Sequence, residues 1–145
     1  MLRDIINEYE KRAARYWSLE IVEVKEEPAR KGGPEAAVRR AETERLLERV
    51  PQGADVIALT RTGKSWSSEQ LAGYLSELAV RGKPGAAFLI GGASGLDDSA
   101  IRKATVSLSI SAMTLTHELA RLVFTEQLYR AGTITRGEPY HKART

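Results

Sequence analysis

The sequence predicts a three-layer α/β sandwich with a mainly parallel sheet. Residues 56–59 and 86–90 are short, continuously apolar runs, the pattern of strands that are buried on both faces. Segments with helical apolar periodicity lie between these runs and on either side of them. Strands that alternate with helices in this way pair in parallel and are covered by helices. With 145 residues and no internal repeat, the chain is expected to form one domain over residues 1–145.

The expected order is α-β-α-β-α-β-α-β-α, and several element boundaries have a local cause. Pro34 suits the first turn of the second helix, and the Pro-Gln-Gly segment at residues 51–53 ends it. Ser67 or Ser68 can cap the third helix, which ends before Gly82. We expect the other helices over residues 2–16, 34–50, 97–104 and 117–131, and strands over residues 19–24, 56–59, 86–90 and 106–113.

The composition excludes several classes of site. The chain has no cysteine, so it contains no disulfide, no thiolate nucleophile and no cysteine-based zinc site. His117 and His141 are the only histidines, too few for an all-histidine zinc site, and no metal is expected. A net charge of +3 is weak support for nucleic-acid binding. The chain shows no signal-peptide pattern and no long apolar run, so we expect a cytoplasmic protein with no membrane partner.

Three familiar motifs fail on inspection. Gly63-Lys64-Ser65 resembles the end of a phosphate-binding P-loop, but Ala58 stands where the first glycine is required. Residues 92–95 suggest a nucleophile elbow, yet that motif needs glycine at the position of Leu96. The Gly-x-Gly-x-x-Gly dinucleotide fingerprint does not fit the chain at residues 91–95.

Two segments remain as candidates for a ligand site. Gly91, Gly92 and Gly95 follow a buried strand, and they form either a tight turn that needs positive φ or a close backbone approach to a cofactor. Residues 107–115 alternate serine with apolar residues. They form either an edge strand or a loop of exposed peptide groups that reads a heterocycle. In parallel α/β folds, ligands bind beyond the carboxyl ends of the strands.

The tail over residues 133–145 is basic and contains aromatic residues. Tyr140 and His141 lie among Arg136, Lys142 and Arg144. This composition fits a frayed, solvated tail, which composition alone favours. It also fits a segment that neutralises phosphates and stacks on bases.

Several segments, in order, resemble the RlmH family, bacterial SPOUT-class methyltransferases that act on N3 of a pseudouridine in large-subunit ribosomal RNA. The similarity runs from about Leu2 to His141. Gly63-Lys64 with Trp66 and residues 67–71 match the middle of the family. The other matching segments are Leu89-Ile90-Gly91-Gly92 with Gly95-Leu96, residues 107–115, His117, Arg121, Gln127-Leu128-Tyr129-Arg130-Ala131 and Pro139-Tyr140-His141-Lys142.

The resemblance implies a fold, a cofactor and partners. The fold is a SPOUT-type α/β sandwich whose C-terminal segment threads a trefoil knot, and the protein works as a homodimer. S-adenosylmethionine is the cofactor. Large-subunit ribosomal RNA is the substrate, which we expect to be read on the assembled particle because RNA is often recognised by shape. The residues implied in cofactor binding are Leu59, Gly92, Ile110, Ser111, Ala112, Met113, Thr114 and Leu115.

The resemblance also places four residues on the RNA-facing side of the site, namely His117, Arg130, Tyr140 and His141. Methyl transfer to N3 requires close alignment of donor and acceptor and removal of the N3 proton. His141 or Tyr140 would accept that proton or orient the base, and Arg130 would stabilise the developing imide anion.

The chain departs from the family pattern at several positions. A strand that usually precedes the first helix is missing from the sequence. Ala93-Ser94 replaces a usual proline-glutamate pair, Thr116 and Glu118 stand where prolines are common, and Gly132 replaces a common tryptophan. The missing strand and the altered glycine loop keep open the alternative of a catalytically silent RNA- or ribosome-binding dimer. A SPOUT methyltransferase with another RNA target is a further alternative.

Overall fold

Helices and strands alternate along the chain in the computed structural model, which describes residues 1–25, 34–92 and 95–141. Ser67 caps the third helix with a reciprocal capping box, and Asp97 caps the fourth, as their residue types predict. The elements are α1 (Leu2–Ala13), α2 (Glu35–Glu48), β1 (Asp55–Ser65), α3 (Ser68–Val80), β2 (Ala86–Leu89), α4 (Asp98–Lys103), β3 (Val106–Ser109), α5 (His117–Thr135) and a 3-10 helix (Pro139–His141).

The three strands form a parallel sheet in the order β2-β1-β3. Ile57 of β1 lies opposite Phe88 of β2 and Val106 of β3. Successive side chains on a strand point to opposite faces, and both Ile57 and its neighbour Ala58 are fully buried. Both faces of the sheet are therefore covered, which confirms the predicted α/β layering around parallel strands.

The larger core lies between the sheet and helices α1, α3 and α5. Phe124 and Leu128 of α5 pack with Ala13 of α1, and Leu59 and Phe88 of the sheet contact this cluster. The rings of Phe88 and Phe124 have centroids 4.4 Å apart, at the close limit of favourable aromatic pairs. The long helix α5 is therefore anchored directly to the sheet.

The predicted strand at residues 19–24 is wrong, because these residues form no regular structure and none of the three strands pairs with them. Side chains hold the segment instead. Leu19 packs against the core, and the indole of Trp17 donates a hydrogen bond to the carbonyl of Leu128 at 2.8 Å. The guanidinium of Arg121 binds Glu23 at 2.6 Å and Glu10 of α1 at 2.8 Å. Alternation of apolar and polar residues is therefore compatible with a segment held by side-chain contacts as well as with a strand.

The predicted strand at residues 106–113 ends early, at Ser109, and β1 extends to Ser65 instead. Leu108 pairs with Leu59 and again with Lys64, so β1 bulges between these two contacts. Gly63 allows β1 to pair with β3 again after the bulge, since a Cβ at this position would lie 2.5 Å from the backbone of Ser107. A bulge of this kind depends on contacts between strands and leaves little trace in local periodicity.

The C-terminal residues that the structure describes are folded, so the frayed tail favoured by composition is wrong for residues 133–141. Thr133 is fully buried in α5, and Tyr16 donates a 2.7 Å hydrogen bond to Glu138 just before the 3-10 helix. A glycine is needed at position 132, because a Cβ there would lie 2.4 Å from the ring of Tyr16. Lys142 and Arg144 lie outside the described residues. Among those described, no helix is both long and apolar enough to cross a membrane.

Candidate active site

A closed glycine turn follows β2 at the carboxyl edge of the sheet. The amide of Gly95 donates a 2.9 Å hydrogen bond to the carbonyl of Gly92, and Gly95 has a φ of +82°. A Cβ on Gly91 would lie 2.5 Å from the backbone of Gly95. Gly91 and Gly95 are therefore required by the turn itself. Ala93 and Ser94, between them, lie outside the described residues.

Helices on both sides hold this turn. His117, the first residue of α5, donates a hydrogen bond from Nδ1 to the carbonyl of Gly91 at 2.8 Å. From α2, the carboxylate of Glu42 lies 2.9 Å from the position of a Cβ on Gly92. The buried hydroxyl of Thr43 accepts a 2.9 Å hydrogen bond from the amide of Asp97. His117 thus touches the turn directly.

Sequence reasoning missed the α2 contacts. Glu42 and Thr43 are buried polar residues on a helix whose apolar face is weak. No local motif identifies them, because their role depends on the packing of α2 against the turn that follows β2.

Residues 107–109 belong to β3, an edge strand of the three-stranded sheet, whereas residues 110–115 form a loop, so each of the two alternatives holds for part of this segment. The hydroxyl of Ser111 accepts a 3.0 Å hydrogen bond from the amide of Met113, which folds the loop locally. Met113 is 77% exposed, whereas Ile110 and Leu59 pack against the core. Because β2 and β3 flank β1 in parallel, this loop, the glycine turn and the bulge after Leu59 emerge at one edge of the sheet. Ala112, Thr114 and Leu115, the other implied cofactor residues, belong to this loop.

A second cluster lies at the far end of α5. Nε and Nη2 of Arg130 both donate hydrogen bonds to one carboxylate oxygen of Glu126, at 3.1 and 2.6 Å, and the guanidinium lies over the ring of Tyr140 at 4.9 Å. The Tyr140 hydroxyl donates a 3.1 Å hydrogen bond to Glu126. Its ring packs against Tyr129, with centroids 4.6 Å apart. His141 belongs to the same 3-10 helix, and its side chain lies outside the described part of the structure.

The electrostatics of this cluster determine what its groups can do. Burial, a hydrogen bond with Tyr9 and the charge of Glu126 raise the pKa of Tyr140 well above its ordinary value of 10. The hydrogen bond with Glu126 raises the pKa of Arg130. Tyr140 is therefore a neutral phenol and Arg130 a cation at physiological pH, which suits orientation of a substrate and stabilisation of an anion.

The structure does not bring all the predicted catalytic residues together within one chain. His117 lies at the glycine turn, whereas Arg130 is thirteen positions further along α5, about 20 Å at the rise of an α-helix. The predicted site is thus divided into a half at the glycine turn and a half around Arg130 and Tyr140. Within the described residues, no cluster of histidines and carboxylates could hold a metal ion.

Comparison with known proteins identifies the class. A family model described as "Predicted SPOUT methyltransferase" matches residues 1–141. The chain therefore belongs to the SPOUT methyltransferase family, and its activity is methyl transfer, which requires a methyl donor.

More particular similarity comes from proteins named "Ribosomal RNA large subunit methyltransferase H". The one from Gemmatimonas aurantiaca is 49% identical over 141 residues, covering 97% of this chain and 90% of the relative. The one from Syntrophotalea carbinolica is 47% identical over 140 residues, covering 97% and 89%. The one from Acetivibrio thermocellus is 42% identical over 144 residues, covering 97% and 91%. The chain belongs with these relatives, which confirms the RlmH resemblance of its motifs.

Proposed function

We propose that this protein transfers a methyl group from S-adenosylmethionine to N3 of a pseudouridine in large-subunit ribosomal RNA. The observation that carries the proposal is the glycine turn, held by His117 beside the 110–115 loop at the carboxyl edge of the sheet. Because the chain belongs to the SPOUT methyltransferases, we assign methyl transfer to this edge of the sheet. The relatives named for large-subunit ribosomal RNA supply the substrate class. A cytoplasmic location, where ribosomes are found, belongs to the same proposal.

The residues at this edge fit the proposed cofactor. A Cβ at Gly91 would meet the backbone of Gly95, and a Cβ at Gly92 would meet the carboxylate of Glu42, so both glycines keep the turn tightly packed and fix the shape of the backbone that would face the cofactor. The 110–115 loop has left the strand ladder, so its peptide groups, apart from the Met113 amide that binds Ser111, are available to an adenine ring and a methionine moiety. Leu59, where the bulge begins, would lie under the cofactor. The trefoil knot of the family is part of this proposal for the C-terminal segment.

A homodimer would complete the site. Since about 20 Å of α5 separates His117 from Arg130, one chain has the cofactor half and the RNA half at opposite ends of a helix. A two-fold dimer that packs α5 against its copy would bring each cofactor half beside the RNA half of its partner. Leu119, 42% exposed near the start of α5, is apolar surface that this contact would cover.

The chain's own residues then have distinct roles. S-adenosylmethionine supplies an electrophilic methyl group on a sulfonium sulfur, and N3 must lose its proton to bond with it. Tyr140, held neutral, would orient the base through its hydroxyl, and Arg130 would stabilise the imide anion that forms as the proton leaves. His141 stays a candidate proton acceptor. His117 would hold the glycine turn, because its Nδ1 proton is used on the carbonyl of Gly91.

The test of activity is transfer of labelled methyl groups to large ribosomal subunits that lack the modification, with free ribosomal RNA in parallel. We expect label at one pseudouridine of the assembled particle. Label on a different RNA alone would support the SPOUT enzyme with another target. RNA binding with no cofactor binding would support the silent dimer.

The test of the divided site mixes two impaired variants, Gly91→Ala and Arg130→Ala, at a cofactor concentration near the wild-type Kd. Each mixed dimer would hold one intact site, so random mixing is expected to add about a quarter of wild-type activity to what the variants retain alone. A site complete within one chain would show no recovery.

A further inference from the structure

One carboxylate oxygen joins the two groups of the RNA half. Oε1 of Glu126 accepts hydrogen bonds from Nε and Nη2 of Arg130, at 3.1 and 2.6 Å, and from the hydroxyl of Tyr140 at 3.1 Å. The other oxygen, Oε2, accepts a 2.9 Å hydrogen bond from the side-chain amide of Gln127. Both oxygens of this carboxylate are therefore held in place.

The surroundings make the arrangement rigid. The side chain of Glu126 is 18% exposed and that of Arg130 is 27% exposed, so water screens the pair only in part. The ring of Tyr140 is held between Tyr129, 4.6 Å away, and the guanidinium of Arg130, 4.9 Å away. An ordinary i,i+4 ion pair on a helix surface has no such third partner. The pair between Glu77 and Arg81 on α3 is an example of such an ordinary pair, since its atoms are 4.0 Å apart and both side chains are more than half exposed.

The direction of the Tyr140 hydrogen bond has a chemical consequence. A carboxylate only accepts, so the hydroxyl proton points to Glu126, and the lone pairs of the phenolic oxygen serve Tyr9 and one further donor. That oxygen can then accept a hydrogen bond from an imide N–H. The guanidinium of Arg130 has five N–H donors, and those beyond the two bound to Glu126 suit the neighbouring carbonyl oxygens of a uracil-type base.

We propose that Glu126 is a positioning residue for methyl transfer, which aligns Tyr140 as an acceptor for the N3–H group and Arg130 as a donor to the base. The inference rests on the proposed function and deepens it, because it explains how a neutral tyrosine and an arginine recognise one edge of the substrate base. Glu126 acts through these two side chains and touches no reacting atom.

The experiment compares Glu126→Gln with wild type and with the matched control Glu77→Gln, which removes the exposed i,i+4 pair. We expect Glu126→Gln to lower kcat by up to about 100-fold, as misplacement of reacting groups does, with little change in KM. The Kd for S-adenosylmethionine should not change, because the side chain of Glu126 binds Arg130, Tyr140 and Gln127, none of which is among the residues proposed to hold the cofactor. Glu77→Gln should match wild type in all three quantities.

A second readout needs neither substrate nor activity. Absorbance titration of the tyrosines, with Tyr140→Phe as the difference standard, follows the ionisation of Tyr140. Removing the charge of Glu126 should lower the pKa of Tyr140, although burial and Tyr9 keep it above the ordinary value.

Wild-type kcat in Glu126→Gln, or an unchanged Tyr140 titration, would overturn the inference. Urea unfolding of both variants separates loss of positioning from loss of folding. If the wild-type protein transferred no methyl group to large-subunit RNA, the proposed function would be overturned. The titration would still decide whether Glu126 controls Tyr140.

Discussion

Replacing Gly91 with alanine tests whether the glycine turn shapes the cofactor site. The new Cβ would lie 2.5 Å from the carbonyl carbon of Gly95, 2.8 Å from the amide nitrogen of Leu96 and 2.9 Å from the carbonyl oxygen of Gly95. All three are backbone atoms, so no side-chain rotation relieves the contact. To reach ordinary contact, the backbone of Gly95 must retreat by about 0.9 Å. The same movement disturbs the hydrogen bond between His117 and the carbonyl of Gly91.

The expected magnitude follows from the cost of overpacking, about 1–3 kcal/mol for an inserted methyl group that has no free space. If binding requires the turn in its native shape, the Kd for S-adenosylmethionine rises by about 5- to 150-fold. Gly73→Ala is the matched control, because nothing lies within 4 Å of its Cβ. Gly73 is inside α3, where alanine is expected to stabilise the fold by about 0.5–1 kcal/mol.

The assay is calorimetric titration of each variant with S-adenosylmethionine, with urea unfolding in parallel. We expect weaker binding by Gly91→Ala and wild-type binding by Gly73→Ala. A folded Gly91→Ala protein with wild-type affinity would refute the reasoning, since the glycine turn would then have no part in shaping the cofactor site.

Two further predictions concern His117 and Glu23. His117→Ala should raise the Kd for S-adenosylmethionine by about 2- to 12-fold, the worth of one hydrogen bond to the turn. A purely catalytic histidine would lower kcat and leave this calorimetric Kd unchanged. Hydrogen bonds from Arg121 and Arg3 hold the pKa of Glu23 below its ordinary value of 4.5, so its contribution to stability is present above pH 4.5 and lost as the pH falls through the lower folded pKa. Urea unfolding should therefore show Glu23→Gln less stable than wild type at pH 7 and equal to it near pH 2; an equal difference at both pH values would contradict this account.

Local patterns were sufficient for much of the fold. The apolar runs at residues 56–59 and 86–90 form neighbouring parallel strands, and Ser67 and Asp97 cap the helices that they precede. These features depend on side-chain periodicity and on hydrogen bonds within a few residues. The alternating segment at residues 19–24 misled the same reasoning. Periodicity reports which side chains are buried, whereas a strand also needs a neighbour with which to pair.

In the candidate site too, some residues were indicated by the sequence and others only by the packing of distant segments. Residue patterns singled out the glycine cluster and residues 107–115 as candidates, and the family resemblance added Arg130 and Tyr140; the roles of all of them stay predictions. Residue patterns missed Glu42 on α2, which contacts the turn across the fold. They also missed Glu126, although its i,i+4 spacing to Arg130 is a visible signal. Such a spacing is common on helices, and only the third contact, with Tyr140, separates this carboxylate from an ordinary surface pair.

By itself, the sequence determined the parallel α/β layering, because residue type and spacing encode local structure directly, and its motifs carried the family resemblance that gave the class of protein. Only the tertiary structure decided that His117 holds the glycine turn and that Arg130 lies about 20 Å away at the other end of α5. It also decided that Glu126 joins Arg130 to Tyr140. The physical reason is that these relations join residues brought together by packing, and hydrogen bonds between distant segments leave no periodic trace in the chain.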